Sequence, residues 1–203
     1  MIKEQDYLKD IADIRAMMER STKFASLSGL AGVMAGIYAL AGAFIVSNFY
    51  SFNPTVIQYT PEPESLLKVI VVALLVLVFT LSTTVLLSYK KAKKSGEKIW
   101  NITSKRLLAD IAVPLSAGGI LVVVFLLNGM IGLLAPITLV FYGLAIYNTS
   151  KFTFAELKFL GLFLIGLGLI SSFFIEYSMF YWAVGFGVVH IVYGVYMHFK
   201  YER

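Results

Sequence analysis

Histidine is the side chain whose charge changes near neutral pH, and this 203-residue chain has two, His190 and His198, and no cysteine. His190 lies within an apolar run, nine residues before Phe199, which is about 13 Å of helical rise from the end of that run. Tyr193 follows one turn later on the same helical face, and Tyr142, in an earlier apolar run, is a second hydroxyl that His190 can face. An ionisable group inside a bilayer is costly and therefore a candidate for function. A neutral imidazole there can pass a proton, hold a polar solute, or donate one hydrogen bond that orders the helices. His190, Tyr193 and Tyr142 are thus the candidate polar site within the membrane.

His198 cannot share a metal with His190, because eight residues along one helix separate the two rings by about 12 Å. Without cysteine there is no disulfide, thiolate nucleophile or Cys-held metal cluster. The chain has no Gly-x-Ser-x-Gly elbow, Walker loop or His-Glu-x-x-His helix, and no pair of carboxylates in mid-membrane. No cofactor, metal or catalytic residue is expected. Arg106 and Asp110 are spaced for an interfacial ion pair one turn apart, and Glu156 and Lys158 are expected to flank the next-but-one span in the same manner.

The elements that must position these groups follow from composition. The chain is 59% hydrophobic and 14% charged, with a mean hydropathy of +0.81, which excludes a soluble globule and a disordered chain. The apolar residues form six blocks, each suited to a hydrocarbon core of about 30 Å. The expected fold is an all-α integral membrane protein with spans over about 24–46, 69–89, 107–127, 130–147, 159–175 and 178–199. Asn128-Gly129 and Glu176 mark tight turns joining the third to the fourth and the fifth to the sixth span. With six spans, every basic residue except Lys68 falls on one side, so both termini are expected to be cytoplasmic. The net charge of +5 then reflects threading, not nucleic-acid binding.

Residues 1–23 are expected to form a short amphipathic cytoplasmic helix, with Tyr7, Ile11, Ile14 and Met18 on one stripe. Such a stripe rests in the headgroup layer or makes a contact with a second copy or a cytoplasmic protein. Five acids in this segment and the length of the following apolar run argue against a cleaved signal peptide, despite Ala41-Gly42-Ala43. The loop from Lys90 to Arg106 gathers seven cations with Ile99, Trp100 and Ile102 between them, a pattern suited to anionic inner-leaflet lipids. On the other side, 47–64 carries three prolines and no cation and is expected to form a structured cap. Tyr177, Phe180, Tyr181 and Trp182 are expected in the outer aromatic belt.

Ser28, Gly32 and Gly36 share one ridge of the first span, allowing a close backbone approach either to another helix of the chain or to a second copy. The glycines of the last two spans, Gly161, Gly166, Gly168, Gly185, Gly187 and Gly194, suggest a second close contact. Pro114 and Pro136 are expected to kink their helices, freeing carbonyls for Ser116 and Thr138. The Ser-Leu-Ser-Gly-Leu lead-in from Ser26 to Leu30, after a charged helix, resembles that of small multi-pass bacterial membrane proteins. This resemblance covers about the first fifty residues and implies a prokaryotic inner membrane, with no activity attached. Three classes of function stay open. They are a non-enzymatic protein that senses, scaffolds or regulates a partner at its cytoplasmic face, a transporter or channel for a small solute or proton, and a membrane enzyme.

Overall fold

The computed structural model describes residues 28–50, 52–94 and 100–202, and the stripe Tyr7, Ile11, Ile14 and Met18 lies outside the described residues. The described residues are all-helical, and six helices are long and apolar enough to cross a membrane. They are α1 (Gly29–Phe49), α2 (Pro63–Lys94), α3 (Ile102–Leu127), α4 (Leu134–Thr149, entered through the 3-10 turn Ile131–Leu133), α5 (Glu156–Phe173) and α6 (Ile175–Tyr201). The chain is a multi-pass helical membrane protein. The helices extend beyond most expected boundaries because hydropathy marks only the hydrocarbon-facing part of a helix. With 32 residues, α2 reaches about 48 Å and carries the Glu64–Lys68 pair on its first turns.

Successive helices alternate in direction, so the chain has two ends. At what we call the terminal face lie Ser28, Lys94, Asn101, Thr149, Glu156 and Tyr201; at the distal face lie Phe49, Pro63, Leu127, Ile131 and Phe174. Across the bundle, α2 packs on α1, α1 on α6, α4 on α5 and α3 on α4, with the first half of α6 also against α4. The apolar length of α2 is nowhere fully buried, whereas α5 buries much of its own, so α2 lies at the periphery of the bundle.

Glycines set the two closest approaches, because in lipid helices associate through packing at small residues. Along α1, a Cβ on Gly29 would stand 2.5 Å from the His198 backbone nitrogen, and one on Gly36 would stand 2.5 Å from the Gly187 carbonyl oxygen. The ridge of Ser28, Gly32 and Gly36 is therefore turned to α6 of the same chain. The glycines of the last two spans do not face each other as the sequence suggests. Gly161 and Gly168 pack on α4 near Gly143 and Pro136, whereas Gly187 and Gly194 pack on α1 and Gly166 has no neighbouring element within 4 Å among the described residues. Gly161 and Gly168 thus belong to an α4–α5 seam, and Gly187 and Gly194 to an α1–α6 seam.

The distal cap is structured. Phe52 and Pro54 are buried, and Phe52 joins Val46 and Ile131 in one apolar cluster with Tyr59 packed against it. The Tyr59 N–H donates to the Gly129 carbonyl, and the Gly132 N–H donates to the Ile57 carbonyl. Gly129 has φ of 69°, a conformation that glycine adopts without strain, so the α3–α4 turn can present that carbonyl. Pro136 falls in the first turn of α4, where its missing N–H removes no helical bond. The hydroxyls of Ser116 and Thr138 bond to the carbonyls of Val113 and Ala135, not to those that the prolines would free, since a three-residue reach suits their own rotamers. Of the expected outer belt, Tyr177 and Phe180 are exposed, whereas Tyr181 and Trp182 pack on the core of Leu139, Leu160 and Leu164.

Candidate functional site

Polar groups that link different helices occur at two levels. Within the membrane, His190 is 5% exposed. Its Nδ1 lies 2.8 Å from the Gly185 carbonyl oxygen, and its Nε2 lies 3.1 Å from the Tyr142 hydroxyl. A carbonyl can only accept, so Nδ1 carries the proton; in the neutral ring, Nε2 then accepts from the Tyr142 O–H. Both ring nitrogens are taken up by the chain itself. The ring also stacks on Phe186 at 5.9 Å and 14°, and Tyr142 lies 5.0 Å from Phe186, which in turn lies 5.0 Å from Trp182. His190 is thus the polar end of an aromatic ladder joining α6 to α4.

Tyr193 does not join this pair. Its hydroxyl is buried without a hydrogen-bond partner among the described residues, while its ring packs against the core of α4 and α5. Upstream of His190, α6 widens into a π segment over Ala183–Val189. Gly185 and Gly187 permit close packing of that segment on Leu139 and Leu40.

The second level is the terminal face, where Glu202 holds three elements together. Its Oε1 accepts from the Gly29 N–H at 2.9 Å and from Lys91 Nζ at 3.0 Å, and its Oε2 accepts from His198 Nδ1 at 2.6 Å. Gly29 is the first residue of α1, whose leading N–H groups lack intrahelical acceptors. Ser28, although placed as N-cap, makes no side-chain cap bond. The cap is supplied by a carboxylate 173 residues away, where negative charge is also favoured by the helix dipole. Burial opposes ionisation of Glu202, but the bonds from His198, Gly29 and Lys91, with the Lys91 charge, outweigh it and hold the carboxyl below its usual range. Lys91 also lies 5.8 Å over the Phe154 ring, which packs at 4.4 Å on Tyr201.

Beside it, Glu156 Oε1 accepts from Lys200 and from the Tyr201 hydroxyl at 2.8 Å. Glu156 therefore joins α5 to α6 instead of flanking Lys158, because α6 returns to the α5 start and offers an ammonium from across the helix pair. The expected Arg106–Asp110 pair does not form: the ion pairs among the described residues are Glu64–Lys68, Lys91–Glu202, His198–Glu202 and Lys200–Glu156. Arg106 is exposed, and a solvated guanidinium gains little from an i,i+4 carboxylate. At the start of α3, Asn101 and Ser104 instead form a reciprocal capping box, and Lys105 lies 5.9 Å over the exposed Trp100 ring.

The sequence did carry a signal for Glu202, the His198–Glu202 spacing of four; its contact with Gly29 had none. Among the described residues no group of three or more His, Asp or Glu is placed to hold a metal. No protein-family model, curated protein or solved structure matches the chain.

Proposed function

We propose that this is a non-enzymatic membrane protein that senses, scaffolds or regulates a partner at its terminal face. The observation that carries the reading is the division of polar groups. His190 is satisfied by Gly185 and Tyr142, whereas the ion pairs that join helices, through Glu202 and Glu156, gather at the end where the basic residues also lie. By the distribution of cations this face is cytoplasmic, and the resemblance carried by the Ser26 to Leu30 lead-in supports the inner membrane of a prokaryote. Lys90 to Arg106, with the exposed Trp100 and Ile102, rests on anionic inner-leaflet lipid. Tyr7, Ile11, Ile14 and Met18 precede α1 and supply the contact for a cytoplasmic protein or a second copy, while Arg106 and Asp110 contribute separate charges at the interface.

Photo-crosslinking residues at Lys94, Trp100 and Lys151, compared with Thr55 and Asn128, test the reading in the native membrane. Discrete protein adducts are expected from the first group only. Adducts confined to the second group, or absent from both, would overturn it. Transport through the mid-membrane site is the second reading, and the buried Tyr193 hydroxyl one turn from His190, without a partner among the described residues, is the observation in its favour.

A further inference from the structure

We propose that His190 is a pin that holds α6 in its π form, and that this pin sets the rotational register in which the end of α6 reaches the terminal face. A π turn takes up about one residue more than an α turn. Everything after Val189 is therefore rotated by about 100° and displaced by about 1.5 Å from where a continuous α-helix would put it. Three observations place His190 at the control point. It is the first residue after the π segment Ala183–Val189, and its ring N–H donates back into that segment, to the Gly185 carbonyl. Its other ring nitrogen is fixed from outside α6 by Tyr142 on α4.

The change of partner falls within the π segment, where Gly185 faces α4 and α5 and Gly187 already faces Leu40 of α1. Gly185, within the π segment, packs on Leu139 of α4 and Leu164 of α5. Downstream, Gly194 packs on the Gly29 carbonyl and the Val33 backbone of α1, His198 and Glu202 meet Gly29 and Lys91, and Lys200 meets Glu156. Turning the second half by 100° would carry Gly194 off the α1 seam and Glu202 off the α1 N-terminus. The π segment is thus the joint through which the mid-membrane His190–Tyr142 pair and the Glu202 cap are mechanically linked. This linkage is internal to the chain and holds whether or not a partner binds the terminal face.

The test uses the full chain in lipid nanodiscs, with spin labels on introduced cysteines at Val192 and Leu108, both exposed, and a control pair at Phe180 and Leu108. The absence of native cysteine makes the labelling specific. For His190→Ala, relaxation to α should move the Val192 label by about 8 Å, the chord of a 100° turn at the outer radius of a helix. The Phe180 label should stay in place. Deleting Val188 in the His190→Ala background removes the extra residue and should restore the parental Val192 distance.

A Val192 distance unchanged in His190→Ala would overturn the proposal, as would a shift that the deletion fails to reverse. If His190→Ala alone does not fold, the two-change variant decides: folding with the parental distance supports the pin, and failure to fold refutes it.

Discussion

Gly36→Ala tests the α1–α6 seam on which the arrangement of the bundle depends. The added Cβ would stand 2.5 Å from the Gly187 carbonyl oxygen, 2.6 Å from Ile191 Cγ1 and 3.0 Å from the Ile191 nitrogen. Two of these atoms are backbone, so a rotamer change cannot relieve the clash. Comfortable contact begins near 3.5 Å, so the helices must part by about 1 Å, and a gap of that size forfeits up to about half of each neighbouring dispersion contact. Overpacking of this kind costs about 1–3 kcal/mol, partly offset by up to about 1 kcal/mol from the better helix propensity of alanine. Gly166→Ala is the matched control, since among the described residues no neighbouring element lies within 4 Å of that Cβ and only the propensity gain applies. The two variants should differ by about 2 kcal/mol, roughly 30-fold in the unfolding equilibrium. Reversible unfolding in mixed micelles, followed by tryptophan fluorescence, measures the difference. Equal midpoints for the two variants would refute the seam.

Glu202→Gln should cost about 1–2 kcal/mol, the range for charge-assisted bonds discounted for partial exposure. Because the folded-state carboxyl is held below its unfolded value of 4.5, its stabilisation is complete above that value and is lost as pH falls through the folded value. Parent and Glu202→Gln should therefore converge in stability only in acid below about pH 4.5, as urea titrations at several pH values would show; a gap independent of pH would contradict this. Cysteines placed at Lys94 and Thr55 should be protected from, and labelled by, an impermeant thiol reagent applied outside, and the reverse pattern would invert the threading. Replacing Ile11 and Ile14 with Asp should abolish crosslinks made from the amino-terminal segment without disturbing insertion, and an unchanged profile would leave that stripe as a membrane-surface helix.

The spans and both tight turns were legible in the sequence because lipid imposes length and composition on each helix independently, as the charge-free stretch on either side of Asn128-Gly129 shows. The cap from 47 to 64 was legible from its prolines. Partnerships were not. Gly36 and Gly194 announce close approach through their size, yet nothing in their spacing says that they meet each other's helices and not α5. Glu202 capping Gly29 joins the two ends of the described chain, beyond any local capping rule. The π segment was hidden for another reason: Val184 to Val189 reads as ordinary apolar helix, and the ring bond from His190 to Gly185 appears only once the turn has widened. His190 itself stood out as a lone imidazole in an apolar run, and Tyr142 was within reach as its partner because both lie in apolar spans.

On the proposed function, His190 orders the bundle and the terminal face is the working surface. Potential-driven proton flux into reconstituted vesicles carrying a pH-sensitive dye tests it most directly, with the parent, His190→Ala and His190→Phe compared alongside their melting. His190→Phe fills the ring's place and loses two hydrogen bonds worth about 0.6 kcal/mol each, and His190→Ala should melt earlier still because it also leaves a cavity. Both variants should be less stable than the parent, and all three proteins should give the same flux as one another. A parental proton flux that both substitutions abolish in folded protein would contradict the proposed function.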